Sequence, residues 1–305
     1  MPAGDFSVVT GAFGYTGKYI TRRLLASGVR VKTLTGHPHR PHPFGDQVTA
    51  MPFNFNNPDQ LARSLEGATT LYNTYWVRFT HGSTGFDQAV ENTKTLVRAA
   101  EQAGVRRLVY VSIANADSKS RLPYYRGKGL LEEFIRQSKL SSAIVCPTVI
   151  YSLEDVLINN IAWIARRFPI FGVPGKGDYG LQPIFVEDMA DLMVDAGNRT
   201  DTLHVDAVGP EVFTFDELVR LIARAIHRAV RIAHLPRGLA LFASQLIGLV
   251  VGDVVLTREE VDGLMANLLV SKESPTGKTK LSAWLTQNGD RIGARYASEL
   301  GRHYA

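Results

Sequence analysis

Phe6–Gly17, FSVVTGAFGYTG, runs a β-branched apolar segment into three glycines spaced G-x-x-G-x-x-G. Ser7-Val8-Val9-Thr10 reads as a buried strand, and Gly11, Gly14 and Gly17 form the turn after it. Lys18–Leu25 then places apolar residues at helical spacing, so the order is strand, glycine turn, helix. That order makes a place for a dinucleotide pyrophosphate. The helix start offers unpaired N–H groups and the positive end of its dipole, and glycines let the backbone close on phosphates with no Cβ in the way. Glycine triplets also punctuate ordinary turns. The strand before this one, the helix after it and the later strand–helix alternation give it meaning.

Outward from that turn, Val29–Thr35 alternates as a second strand, and no acidic residue occurs between Val29 and Gly45. In dinucleotide folds a carboxylate roughly 20 positions beyond the glycines holds the adenosine ribose and selects NAD. Here the segment reads Gly36-His37-Pro38-His39-Arg40-Pro41-His42, and His37 with Arg40 suits a 2′-phosphate. The expected cofactor is therefore NADP, with NAD the second option. The prolines make this histidine segment an irregular loop, and no Cys or acidic ligand accompanies it, so no metal site is expected.

A third strand, Val48 to Phe53, leads through Asn54-Phe55-Asn56-Asn57-Pro58 to a helix near 59–65. Thr69–Thr74 reads as a fourth strand, ending in Tyr75-Trp76-Val77-Arg78-Phe79, an aromatic cluster where parallel sheets bind ligands. A long helix from Gly85 to Ala103 closes at Gly104, and the fifth strand is Arg107–Ser112. Pro123 then opens a helix toward Ser138, which places Tyr124 and Lys128 on one face. A phenol with a pKa near 10 is a poor proton shuttle at neutral pH, and a nearby ammonium lowers it. Tyr124 is thus the expected acid/base and Lys128 its partner, also able to bond the nicotinamide ribose. Ser112 would hold a substrate carbonyl. Tyr125 has only Gly129 four residues on, and Gly127 and Gly129 cost helix stability unless close packing needs them.

TGAFGYTG, Asn92, VSIANAD from Val111, YYRGK and PTVIY from Pro147 together resemble an atypical or extended short-chain dehydrogenase/reductase. Arg166-Arg167-Phe168-Pro169 and Gly180–Ala190 resemble the branch related to the nucleotide-binding accessory subunit of respiratory complex I. The resemblance covers roughly residues 5 to 210. It implies a Rossmann domain, bound NAD(P) and a Ser–Tyr–Lys set. It further implies Gly11, Phe13, Gly14 and Tyr15 at the pyrophosphate, Asn54 at the adenine side, Asn73 and Thr74 at the nicotinamide ribose, and Pro147 and Thr148 beside the nicotinamide.

The expected fold class is α/β, a doubly wound parallel sheet with a smaller, mostly helical C-terminal region over the substrate. The expected division is 1–150 for the nucleotide-binding core and 151–305 for the remainder. A sixth strand, Ala143 to Val149, precedes a helix near 155–167, and Gly172–Gly180 reads as loop. Glu187-Asp188 opens a helix as favourable charge at its positive end and lacks partners for a metal. A seventh strand is expected at Leu203–Ala207, and Thr214 with Glu217 matches a capping box. Gly238–Gly252 is too short to span a bilayer, and is expected to be buried or, failing that, to touch a membrane surface or a protein.

The net charge of +5 is spread in short pairs such as Arg22-Arg23 and Arg106-Arg107, which argues against nucleic-acid binding. The single cysteine, Cys146, sits in an apolar strand and permits no internal disulfide. With no signal-peptide pattern, a reducing compartment is expected, cytoplasm or organelle matrix. The expected function is hydride transfer between NADP and an unidentified carbonyl or alcohol. The alternatives are a non-catalytic NADPH-holding sensor or assembly protein, and a sugar-nucleotide epimerase or dehydratase.

Overall fold

The computed structural model describes residues 6–79 and 85–303. The chain divides into two compact units, the first reaching Cys146 and including Met189–Asp206, the second holding Pro147–Asp188 and the residues from Ala207 onward.

The first unit is built on strands that are apolar on both faces, the pattern of a parallel sheet covered on two sides. They are β1 (Phe6–Thr10), β2 (Val31–Thr35), β3 (Val48–Pro52), β4 (Ala68–Asn73), β5 (Arg107–Val111) and β6 (Ser141–Pro147). With the edge strand Leu203–Ala207 they form one seven-stranded sheet, ordered Leu203–Ala207, β6, β5, β4, β1, β2, β3. All neighbouring pairs from β3 to β6 are parallel. The chain moves outward from β1 to β3, then returns to place β4 on the other side of β1. That reversal opens a crevice at the carboxyl ends of β1 and β4.

Four helices connect these strands: α1 (Tyr15–Ala26), α2 (Pro58–Leu65), α3 (Phe86–Gln102) and α4 (Pro123–Arg136). Their starts and stops follow local chemistry. Asn57 caps α2 by accepting the Gln60 N–H, and Gly104 after α3 takes the left-handed backbone, φ +72°. Leu61, Leu65, Leu96, Val97, Leu131 and Ile135 from α2, α3 and α4 pack on Val8, Leu71, Leu108 and Ile144 of the sheet.

Among the described residues of the second unit, three short strand pairs join six helices. Gly172–Gly180, expected as loop, begins inside a strand: Ile170–Pro174 pairs in parallel with Arg231–Leu235. Gly172 is small because Leu235 lies over it; a Cβ there would sit 2.8 Å from Leu235 Cδ1. The sixth strand also stops earlier than Val149. It ends at Pro147, and Val149–Tyr151 pairs instead with Pro183–Phe185. The Thr214–Glu217 capping box forms as expected.

Helix Arg237–Val251 departs from the expectation of burial. Its inner face is Ala240, Ser244 and Gly248, and a Cβ on Gly248 would lie 2.6 Å from the Asp253 carbonyl oxygen. Close approach through small residues leaves the large apolar ones, Leu239, Phe242, Leu246, Leu249 and Val250, exposed on the outer face. Among the described residues, no helix is long and apolar enough to cross a membrane.

Candidate functional site

The glycine turn follows β1 at the crevice. Gly11 adopts φ +63°, so the chain can reverse immediately after the strand. Gly17 has a different reason to be glycine. A Cβ there would stand 2.2 Å from the Gly11 carbonyl oxygen, so only glycine lets α1 start this close to the turn. The Gly14 N–H donates to the Gly11 carbonyl at 2.8 Å, and Gly14 forms the N-cap of α1. No side chain caps α1 and no acidic residue lies in its first turn, which leaves its positive end for an external anion. Tyr15 opens that helix, and Phe13 stacks on His42 with ring centroids 3.8 Å apart.

A polar latch ties the turn to β4. The Thr74 N–H donates to Thr10 Oγ1 at 2.7 Å, and the Thr74 hydroxyl donates to the Thr10 carbonyl at 2.6 Å. Asn73 Oδ1 accepts from Thr10 Oγ1 and from the Tyr75 N–H. Its amide nitrogen is buried with no partner among the described residues. A buried donor left over in this way costs free energy until something accepts from it.

Beyond β2, His37 and Arg40 are joined by a backbone turn, the Arg40 N–H donating to the His37 carbonyl at 3.2 Å. Asn54 takes a left-handed backbone, φ +48°, and lines an open pocket of about 380 Å³ with Phe55, Asn56, Asn57, Gln88 and Asn92. Asn92 donates to the Tyr75 hydroxyl at 2.8 Å, and Tyr75 packs on Phe53 and Phe55. Of the aromatic cluster after β4, Tyr75 thus reaches this region, through Asn92 and Phe55.

On α4, both glycines are explained by contact. A Cβ on Gly129 would lie 2.2 Å from the Ser118 backbone nitrogen, and one on Gly127 would lie 2.9 Å from the Trp76 ring. Trp76 comes down over the helix. It covers Lys128, whose Nζ is 4.4 Å from its ring centroid and donates to the Val111 carbonyl at 2.7 Å. Tyr124, one turn earlier, sits edge-on to Trp76 and Phe86. Burial lowers Lys128 to a pKa of about 7, against the smaller opposing pull of Cys146 and Glu132.

Ser112 is buried at the end of β5, and its hydroxyl donates to Glu132 Oε1 at 2.5 Å. Glu132 was not foreseen. A carboxylate four residues after Lys128 on the inner face of an amphipathic helix was the available signal. Burial alone would raise its pKa. Hydrogen bonds from His204 and Ser112 and the charges of His204 and Arg136 outweigh that and leave it below the usual range. Lys128 and Ser112 therefore meet around the end of β5, with Tyr124 beneath Trp76 on the same helix as Lys128. Pro147 ends β6, and Thr148 donates its hydroxyl to the Gln182 carbonyl within the second unit.

Residues 11–159 match a family described as NAD(P)H-binding. The chain is 25% identical over 246 residues to the Arabidopsis thaliana NADH dehydrogenase [ubiquinone] 1 alpha subcomplex subunit 9, mitochondrial, covering 77% of this chain and 61% of that relative. It is 26% identical over 244 residues to the ceramide reductase of Caulobacter vibrioides, covering 78% and 76%. Its fold matches the triphenylmethane reductase of Citrobacter sp. complexed with NADP(H), with a TM-score of 0.74, 17% identity, and coverage of 92% and 99%.

Proposed function

We propose that this chain, whose residues 11–159 match a family described as NAD(P)H-binding, is an NADP-preferring oxidoreductase acting on a carbonyl or alcohol. The residues present fit the dinucleotide. The glycine turn leaves room for phosphates, α1 begins with an uncapped positive end, and Asn73 holds a spare donor at the crevice. Arg40 and His37, with no carboxylate after β2, favour a 2′-phosphate. The cofactor, when bound, supplies or accepts hydride.

Lys128 is the observation that carries the catalytic reading. It is desolvated beneath Trp76, one helical turn from Tyr124 and against the end of β5. Tyr124 gives a proton from its hydroxyl to the substrate oxygen in reduction and takes it back in oxidation. Lys128, as ammonium, favours the phenolate and bonds the nicotinamide ribose. To orient a substrate carbonyl, Ser112 has to turn its hydroxyl away from Glu132.

That last point favours a second reading, a protein that holds NADPH without turning it over. Both the Ser112 hydroxyl and the Lys128 ammonium are engaged by protein acceptors. Fluorescence titration with NADPH and NADH, followed by assay of a carbonyl panel with the wild type and Tyr124→Phe, separates the two. The expected result is tighter NADPH binding, and turnover that falls about 10²- to 10⁴-fold in Tyr124→Phe with nucleotide affinity kept. Tight binding without turnover on any carbonyl favours the holding role. Equal affinity for NADH removes the 2′-phosphate assignment.

A further inference from the structure

At the far end of α4, three side chains from three elements converge: Glu132 from the helix, Cys146 from β6 and His204 from the edge strand Leu203–Ala207. Cys146 Sγ lies 3.5 Å from Glu132 Oε1 and 3.5 Å from His204 Nε2, and His204 Nε2 lies 3.0 Å from Glu132 Oε2. These separations carry a message. An ion bound to nitrogen and oxygen at about 2.0–2.1 Å and to sulfur at about 2.3 Å, with tetrahedral angles, sets its ligand atoms about 3.3–3.6 Å apart, so the two sulfur separations fit and the His204–Glu132 pair has to open by about 0.3 Å.

One imidazole nitrogen here faces both the thiol and the carboxylate. A single proton on Nε2 serves one of those neighbours well, whereas an ion at the shared centre would serve all three. We propose that Glu132, Cys146 and His204 form a site for one zinc ion, with water completing the tetrahedron from the solvent side of His204. The donor set is the borderline-soft mixture zinc prefers. Charge balances as well, because a thiolate and a carboxylate neutralise the ion in a largely buried place.

Access and support are on hand. Glu132 is 6% exposed, but His204 is 46% exposed and Arg136 45%, so an ion enters past the imidazole. Arg136, 2.8 Å from Glu132 Oε2, can swing to solvent and release that oxygen, and Ser112 steadies the other. Coordination forms an S–Zn bond and breaks the S–H bond, with the proton passing to solvent. The bound ion would clamp the edge strand to β6 and α4.

The test uses the full chain without a metal-affinity tag, stripped with a chelator and titrated with zinc chloride against a chromophoric competitor. The expected stoichiometry is one ion per chain, with apparent affinity falling about tenfold per unit drop in pH because one proton is displaced. Cys146→Ser and His204→Ala should each weaken binding at least tenfold while still binding NADPH, which shows that they fold. Cobalt substitution should give a thiolate-to-metal charge-transfer band in the wild type and none in Cys146→Ser. Substoichiometric zinc in the wild type, or equal zinc in the variants, would mean that the three residues are only a hydrogen-bonded cluster and would overturn the proposal.

Discussion

Between β1 and α1 the site is made of backbone, whereas on α4 it is made of side chains that had to be stripped of water. Gly11, Gly14 and Gly17 contribute by what they lack, and the proposed anion-binding feature is the bare start of a helix. Tyr124 and Lys128, the proposed proton-transfer pair, contribute by what they carry, and their surroundings depend on Trp76 and Tyr110 brought in from other elements and on Glu132 one turn further along α4. A backbone site is fixed by local sterics. A side-chain site is tuned by distant neighbours, so its properties change when those neighbours do.

Gly17→Ala should produce the largest effect. Its Cβ meets the Gly11 carbonyl, and overpacking of about 1–3 kcal/mol pushes the turn away from any phosphate. NADPH titration should show affinity weakened by about 10- to 100-fold; unchanged affinity would break the contrast. Gly129→Ala meets backbone equally closely at Ser118 and should lower folding stability by about 1–3 kcal/mol in chemical denaturation. Nucleotide affinity of the folded fraction should stay, since the glycine turn is elsewhere.

Lys128 sharpens the contrast through pH. Its pKa falls from 10.5 in the unfolded chain to about 7 in the fold. Between those values the unfolded chain holds a proton the folded chain lacks, so stability rises with pH from about 7 to about 10.5. The contribution is at most about 1.4 kcal/mol per pH unit, and Lys128→Met should remove it from denaturation curves collected across that range. An unchanged slope would mean that the lysine is not desolvated. The smallest effect is expected of Arg40→Ala, a partly exposed charge whose loss should reduce the preference for NADPH over NADH about twofold to fivefold.

The same contrast explains what could be read from the residues alone. The glycine turn, the Thr214–Glu217 cap and the succession of strands along the chain up to β6 rest on neighbours a few positions apart, and all three are legible. The strand Ile170–Pro174 is not, because its partner Arg231–Leu235 lies some sixty residues on and its own Gly172 and Pro174 look like loop. Helix Arg237–Val251 misleads in the opposite direction, since apolar content suggests burial but small residues take the inner face. The hydroxyl direction of Ser112 is set by Glu132, and the meeting of Cys146 with His204 joins residues 58 apart. No spacing rule reaches them.

The outward apolar face of helix Arg237–Val251 also bears on colloidal behaviour. Leu249 and Val250, 81% and 85% exposed, favour self-association, while a net charge of +5 keeps molecules apart at low ionic strength. Added salt screens the repulsion, and sulfate or phosphate also strengthens apolar attraction, so both changes act in the same direction. Solubility should therefore fall as sulfate rises, and a buffer chosen for phosphate-rich ligands would itself drive the molecules together.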